Sequence, residues 1–389
     1  MKLSEVPTPA AVLDESRLQR NLNFMATRTR QHNLRLRPHL KTAKSAPIAR
    51  LATEGHFGGI TVSTLAEAEY FFDRGITDLT YAVCITPDRI SRARALVDKG
   101  ATLQLITDSP LVAAALAASL PAPTTDRRAL RVLVEIDSGE HRTGVSPEST
   151  DLLTIARTLN EGRGTELLGV LTHGGHAYAA TSTDDIRRIA EQERASVVRA
   201  AHRLRAAGLP CEVISAGSTP TAVHAASFEG LTELRPGVYM FFDLAQVGLG
   251  SCRLEDIALS VLSTVVSHRP ENGRLLIDAG GLALSKDASA SMPDAGYGWL
   301  LDPITQQRIG DLRIVTADQE HGYVEGTDIP YDRLPIGARV RVVPNHACMT
   351  AAAYESYFVA RDDRVVGRWP RLNGWQSPPP SSKADEPIE

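Results

Sequence analysis

Apolar and polar positions along this chain switch repeatedly between short strand-like runs and longer helical stretches. Leu34 to His39, Gly59 to Ser63, Leu79 to Val83, Leu103 to Ile106, Val132 to Ile136, Leu167 to Leu171, Glu212 to Ser215 and Glu233 to Met240 read as strands. Helical patterns separate them. The clearest spans Thr183 to Ala207, where Ile186, Ile189, Ala190, Glu193, Val197, Ala201 and Leu204 recur at near-helical spacing and Gly208 ends the run. Leu65 to Phe72 and Ile90 to Val97 are shorter versions. Ahead of them, Thr8 to Asp14 reads as a short strand. Asp14 is placed to cap a helix with Leu18, Leu22 and Met25 on its apolar face.

About eight strand–helix repeats closing on themselves predict a (β/α)8 TIM barrel. An open doubly wound sheet also alternates, but it usually carries a glycine-rich phosphate loop after its first strand. Here that position holds Lys41-Thr42-Ala43-Lys44, which favours the barrel. After about Leu249 the helical spacing fades. Val261 to Val266, Arg274 to Asp278, Leu312 to Val315 and Val340 to Val343 predict a second, mostly β domain. The strand at Ala10 to Leu13 is assigned to it. The expected division is a barrel over 15–249, a β domain over 1–14 and 250–375, and a disordered tail over 376–389, where a Pro-Pro-Pro-Ser-Ser run precedes acidic residues.

Composition excludes several classes. The 389 residues are 43% hydrophobic and 23% charged, as in ordinary globular proteins. A formal net charge of −4 argues against a nucleic-acid partner. Nothing resembles a signal peptide or a membrane-spanning run, and Cys84, Cys211, Cys252 and Cys348 show no paired metal spacing. The expectation is a soluble, cytoplasmic protein with reduced thiols, acting on a small molecule.

Candidate chemistry falls at strand ends. Lys41 follows the first barrel strand; it is either a lysine in the barrel mouth, where partial desolvation activates an amine for Schiff-base chemistry, or a surface lysine in a basic loop. Arg142 is either a donor to a ligand oxygen or half of a surface ion pair. His173, His176 and Tyr178 sit on a glycine-bearing loop suited to acid–base work or ring stacking, or simply to a turn. Gly217, Ser218 and Thr219 precede a helix, as a phosphate cradle or a plain cap, and Gly237 in Arg235-Pro236-Gly237-Val238-Tyr239 lets backbone approach the same place. In the β domain, His346 and Cys348 alternate by two after a strand, so both are expected on one face as an open metal pair. Asp318-Gln319-Glu320-His321-Gly322 is a further polar cluster, with Glu320 near a metal or facing solvent.

Eight motifs in order carry a resemblance: RPHLKT at 37–42, TVSTLAEAE at 61–69, the ID-x-G-x-HR-x-GV run at 136–145, LTHGG at 171–175, GSTPTA at 217–222, RPGVY at 235–239, QEHG at 319–322 and PNHAC at 344–348. From about Thr8 to Trp375 the chain resembles the fold-type III pyridoxal-phosphate enzymes, the alanine-racemase-like barrels. Within them it resembles the branch of D-serine dehydratases, D-threonine aldolases and, most closely in motif order, D-threo-3-hydroxyaspartate dehydratases.

That resemblance implies pyridoxal 5'-phosphate and a divalent metal, Zn²⁺ or else Mn²⁺, Co²⁺ or Ni²⁺. It implies that Lys41 carries the cofactor and takes the α-proton. Arg142 lies near the phenolic oxygen, His173 packs on the ring, and Tyr178 stands near cofactor and substrate. Gly217, Ser218, Thr219, Gly237 and Tyr239 hold the phosphate, and His346 and Cys348 bind the metal. The implied reaction is dehydration of a D-3-hydroxyamino acid, D-threo-3-hydroxyaspartate or D-serine, to a keto acid and ammonia. The alternative is retro-aldol cleavage to glycine and an aldehyde, with His176 or His173 as base. Aldolases more typically present His-x-Asp, so Cys348 favours the dehydratase. The resemblance also implies a homodimer with the active site at the subunit interface. Partners for the substrate carboxylates are sought among Arg37, Thr172, Tyr178 and residues near Tyr297.

Overall fold

The computed structural model describes residues 1–56, 58–119 and 128–376. Apart from Gln376, the expected disordered tail lies outside these. Strand β1 (Ala10–Asp14) comes first, followed by β2 (Arg35–Leu36), β3 (Ile60–Val62), β4 (Asp78–Cys84) and β5 (Thr102–Thr107). Then come β6 (Leu130–Ile136), β7 (Thr165–Thr172), β8 (Val213–Ala216) and β9 (Glu233–Leu234). The eight strands β2 to β9 form one parallel sheet in the order β2-β9-β8-β7-β6-β5-β4-β3. Its two edges meet: just past β2, His39 forms a parallel bridge to Thr61 of β3, with the Leu40 N–H donating to the Thr61 carbonyl at 2.8 Å.

The expected eighth strand is cut short. β9 ends at Leu234, and Val238–Met240 is a 3-10 turn instead. Pro236 has no N–H for a ladder, and Gly237 (φ −129°, ψ −56°) turns the chain. The intervening helices follow their apolar spacing. Glu15–Gln31 buries Leu18, Leu22 and Met25, and Asp14 caps it by accepting from the Arg17 N–H at 2.8 Å. Thr183–Ala206 buries Ile186, Ile189, Ala190, Glu193, Val197, Ala200, Ala201 and Leu204.

The remaining strands are β10 (Leu259–Arg269), β11 (Arg274–Ile277), β12 (Trp299–Leu301), β13 (Arg308–Ala317), β14 (Gly322–Glu325), β15 (Arg339–Val343), β16 (Ser356–Arg361) and β17 (Arg364–Pro370). The sheet runs β11-β14-β13-β12-β15-β10-β1-β16-β17, and a β10–β11 pairing closes its first six strands into an antiparallel barrel. β1 does join it, between β10 and β16. One apolar cluster runs from Leu13 and the parallel-sheet strands into Val343, Ala347 and Tyr357, so the two sheets share a core. No helix among the described residues is long and apolar enough to cross a membrane.

Candidate active site

A cavity of about 490 Å³ opens where the C-terminal ends of the parallel strands meet the antiparallel sheet. Lys41, Arg142, His173, Tyr178, Ser218, Thr219 and Gly237 line it from one side, and His346 and Cys348 from the other. Gly217 and Tyr239 do not reach its wall.

Lys41 lies in the turn after His39, where the chain leaves the sheet edge; it lines the cavity, as the first of its two readings has it, but is exposed, as in the second. Gly237 packs against that segment: a Cβ there would stand 2.7 Å from the His39 carbonyl oxygen. The imidazoles of His39 and His173 are held well below their usual range, first by burial and then by the charges of Lys41, Arg142 and Arg235. Arg142 donates from Nη1 to Glu140 Oε1 at 3.1 Å, and Glu140 also accepts from the Gly175 N–H at 3.2 Å. Tyr178 is 39% exposed, but its hydroxyl reaches the Thr219 N–H and side chain; burial at that end pushes it up, with Cys348 and Asp243 adding to the shift. His176 stands apart. Its ring nitrogens are buried without a hydrogen-bond partner, and it does not line the cavity.

The cradle before the helix Thr219–His224 is partly spent inside the chain. The Gly217 N–H donates to Glu193 Oε1 at 3.0 Å, and the Ser218 N–H donates to Thr221 Oγ1 at 2.9 Å. Ser218 is also the helix cap. Thr219 remains facing the cavity, and its Oγ1 accepts from the Tyr239 N–H at 3.2 Å. Tyr239 therefore acts here through its backbone from behind.

His346 and Cys348 converge, though not as alternating strand residues. β15 ends at Val343; His346 caps a short helix, Ala347–Ala351, and Cys348 lies in its first turn. Asp287 Oδ2 lies 2.7 Å from His346 Nδ1, leaving Nε2 toward the cavity. Asp243, pushed up to about 6 by burial, accepts from the Ala347 N–H at 2.9 Å and so fixes the same turn. Thr42 Oγ1 lies 3.0 Å from Cys348 Sγ. Burial raises the Cys348 thiol, but His346, Lys41 and Thr42 outweigh it and bring it below the usual value. His346 is depressed by burial yet raised to about 9 by Cys348, Asp243 and Asp287. An imidazole and a thiol brought together in this way suit a soft divalent ion.

Sequence reasoning did not single out Asp287, Asp243 or Glu140. Asp287 sits in the small polar run Ser285 to Ser291, where no spacing marks it. Arg37 is corrected as a carboxylate partner. It is 1% exposed and bound to Asp78 and Glu233, away from the cavity. The Thr172 hydroxyl is buried on the Ile136 carbonyl, and Tyr297 does not line the cavity. Residues 318–321 are exposed and lie outside it. Among the described residues, Cys84, Asp108 and Glu135 also cluster closely, but the Cys84 thiol, pushed up by burial and by Glu135, is a hydrogen-bond donor to Glu135.

Residues 13–245 match the family model of the alanine racemase N-terminal domain, and 258–360 that of a serine dehydratase domain. The chain belongs to the alanine-racemase-like, fold-type III family. Its fold is the alanine-racemase-like one. It is 45% identical over 382 residues to D-threo-3-hydroxyaspartate dehydratase of Delftia sp. (strain HT23), covering 96% of this chain and 99% of that one. The solved structure of that enzyme superposes with a TM-score of 0.91 at 44% identity, over 96% of this chain and 100% of the other. D-serine dehydratase of Dictyostelium discoideum is 31% identical over 386 residues, covering 94% and 96%. D-threonine aldolase from Filomicrobium marinum superposes with a TM-score of 0.81 at 25% identity, over 95% and 96%. A solved D-threo-3-hydroxyaspartate dehydratase with a cysteine-to-alanine substitution is in the metal-free form.

Proposed function

We propose that this cavity holds pyridoxal 5'-phosphate and a divalent metal ion and eliminates water from a D-3-hydroxyamino acid. The substrate is D-threo-3-hydroxyaspartate or D-serine, and the products are a keto acid and ammonia. One observation carries the reading: a lysine from the parallel sheet and an imidazole–thiol pair from the antiparallel sheet line the same cavity, joined by the Thr42–Cys348 contact. The 45% identity to a dehydratase of this chemistry supports it. The family also supports reading the parallel sheet as a (β/α)8 TIM barrel, as does the His39–Thr61 bridge between its edges.

The residues present fit both groups. Lys41, Arg142, His173, Tyr178, Ser218, Thr219 and Gly237 would hold the cofactor, with Gly217 and Tyr239 supporting the phosphate end through Ser218 and Thr219. Cys348 and His346 Nε2 would hold the metal, and thiolate with imidazole favours Zn²⁺ over Mn²⁺, Co²⁺ or Ni²⁺. When bound, the cofactor supplies an electron sink for the α-carbon and the metal supplies a Lewis acid for the departing hydroxyl.

The chain's own work is proton handling and orientation. The Lys41 amine takes the α-proton. Arg142, steadied by Glu140, donates toward an oxygen of the bound cofactor, and Asp287 fixes the His346 ring. Burial and the neighbouring charges hold the His39 and His173 imidazoles below their usual range, which makes both weaker bases for that proton. The α-proton and β-hydroxyl leave as water, and the resulting enamino acid takes up water to give keto acid and ammonia.

Retro-aldol cleavage needs a base for the β-hydroxyl; of the two candidates, His176 is absent from the cavity wall, and His173 lines it but is made a weaker base by burial and the neighbouring charges. We also propose a cytoplasmic homodimer with the active site at the subunit interface; exposed Tyr178, Leu282 and Met349 support that surface. The test is a panel of D-serine, D-threonine and both D-diastereomers of 3-hydroxyaspartate, with keto acid, ammonia and glycine quantified. Keto acid with ammonia is expected. Glycine with an aldehyde would replace this reading by the aldolase. Unchanged keto-acid release after chelation would remove the metal from it.

A further inference from the structure

Glu193 is the odd residue on its helix. Its neighbours on the buried face of Thr183–Ala206 are apolar, yet the carboxylate is itself 3% exposed. Removing a carboxylate from water is costly unless hydrogen bonds offset it. Burial still pushes the Glu193 carboxyl above its usual range, and the partial offset comes from two loops at once. Oε1 accepts from the Gly174 N–H at 2.6 Å and from the Gly217 N–H at 3.0 Å, and the Thr221 side chain adds a third bond. Gly174 follows His173 at the end of β7, and Gly217 precedes Ser218 and Thr219 at the end of β8.

The fit on the β7 side is close. A Cβ on Gly174 would stand 3.0 Å from the Glu193 carboxyl carbon and 3.2 Å from both oxygens. An alanine there would require the carboxylate to give by a few tenths of an ångström against the loop it binds. Behind it, Arg235 donates to the Thr172 carbonyl at 2.6 Å and to Ser215 Oγ, so the same two strand ends are tied from the opposite side.

We infer that Glu193 is a positioning residue, whose single oxygen Oε1 yokes the His173 loop to the Ser218–Thr219 loop and so fixes the span between the ring end and the phosphate end of the cofactor site. This rests on the proposed cofactor role of those loops. A rigid helix holding both loops sets the span before any ligand arrives, and placement errors of about 1 Å are enough to cost about a hundredfold in such sites. A purely structural carboxylate would affect every site in the protein alike; a yoke affects the cofactor end and spares His346 and Cys348, which lie on the other sheet.

The test uses the full-length apoprotein as wild type, Glu193→Gln, Glu193→Ala and Gly174→Ala. Pyridoxal phosphate binding is followed by absorbance titration, and Zn²⁺ binding by competition with a chromogenic chelator. Glutamine keeps an oxygen for both N–H groups, so its cofactor Kd is expected within about threefold of wild type. Alanine at 193 is expected to raise that Kd about tenfold or more, and Gly174→Ala about threefold or more, with Zn²⁺ affinity unchanged in every variant. Should Glu193→Ala fail to fold, Gly174→Ala decides, because it keeps the Glu193 side chain and disturbs only its contact with the loop. The inference is overturned if Gly174→Ala binds cofactor as wild type does, if glutamine loses as much as alanine, or if cofactor and Zn²⁺ affinities fall together. Wild-type apoprotein that binds no pyridoxal phosphate would instead overturn the proposed function.

Discussion

Replacing Arg37 by methionine tests the seam at which the parallel sheet meets itself. The guanidinium lies four residues before Lys41, with its side chain 2% exposed. Nε donates to Glu233 at 2.8 Å, while Nη1 and Nη2 bind Asp78 at 2.7 and 3.3 Å. Glu233 is equally buried, and despite that burial Arg37 holds its carboxyl below the usual range. Methionine fills much of the volume but strands Glu233 with Ser215 at 2.7 Å and the more distant charge of Arg235. Breaking a buried pair in this way costs about 3–5 kcal/mol, most of it the uncompensated carboxylate. Adding Glu233→Gln to Arg37→Met is therefore expected to restore about half of the loss. Asp78→Asn alone, whose side chain is 30% exposed, is expected to cost about 1–2 kcal/mol. Urea unfolding of the apoprotein, followed by far-UV circular dichroism and by tryptophan fluorescence, measures all four proteins and shows whether the two sheets unfold together. A loss below about 1 kcal/mol for Arg37→Met, or no recovery in the double variant, would refute the reasoning.

The remaining expectations concern the site. Asp287→Ala frees the His346 ring and is expected to weaken Zn²⁺ binding about 10–100-fold in a chelator competition, while pyridoxal phosphate binding changes little; equal Zn²⁺ affinity would contradict the orienting role. His39 and His173 are neutral when folded but take protons in the unfolded chain as pH falls through about 6.5, so the apoprotein should lose at most about 1.4 kcal/mol per histidine per pH unit below that point. Both rings are only half-buried, which lowers the figure; urea midpoints at pH 7.5, 6.5 and 5.5 that stay level or rise on acidification would contradict it.

Much of this was legible in the sequence because period and punctuation are local. The helix Leu65–Phe72 has the expected limits, and Asp14 caps as its position implies. What failed locally was the stretch after Leu234, where a proline and a glycine end the strand inside an otherwise apolar run. β12, β14, β16 and β17 went unread: β12 and β14 are only 3 and 4 residues long, and β17, at the sheet edge, alternates exposed with positions that are mostly no more than half-buried. Lys41, His346 and Cys348 were recognisable because each stands in a motif. Asp287 and Asp243 were not, since their partners lie 59 and 104 residues away and are created only by the fold. Glu193 was visible as one acid in an apolar stripe, but helical spacing cannot say what a buried carboxylate binds.

The turn that carries Lys41 shows how two sheets make one site. Thr42 lies against Cys348 at 3.0 Å, the Ala43 carbonyl accepts from the Tyr357 hydroxyl at 2.8 Å, and the Lys44 carbonyl accepts from the Leu372 N–H at 2.7 Å. Three consecutive residues are thus held by the antiparallel side, and Lys41 immediately before them faces the cavity. The backbone that carries Lys41 is consequently placed one residue from the Thr42–Cys348 contact. Its position does not depend on how two independently folded domains happen to rest on each other. A hinge between the sheets would have to break this turn first, so Lys41 and the His346–Cys348 pair move as one unit.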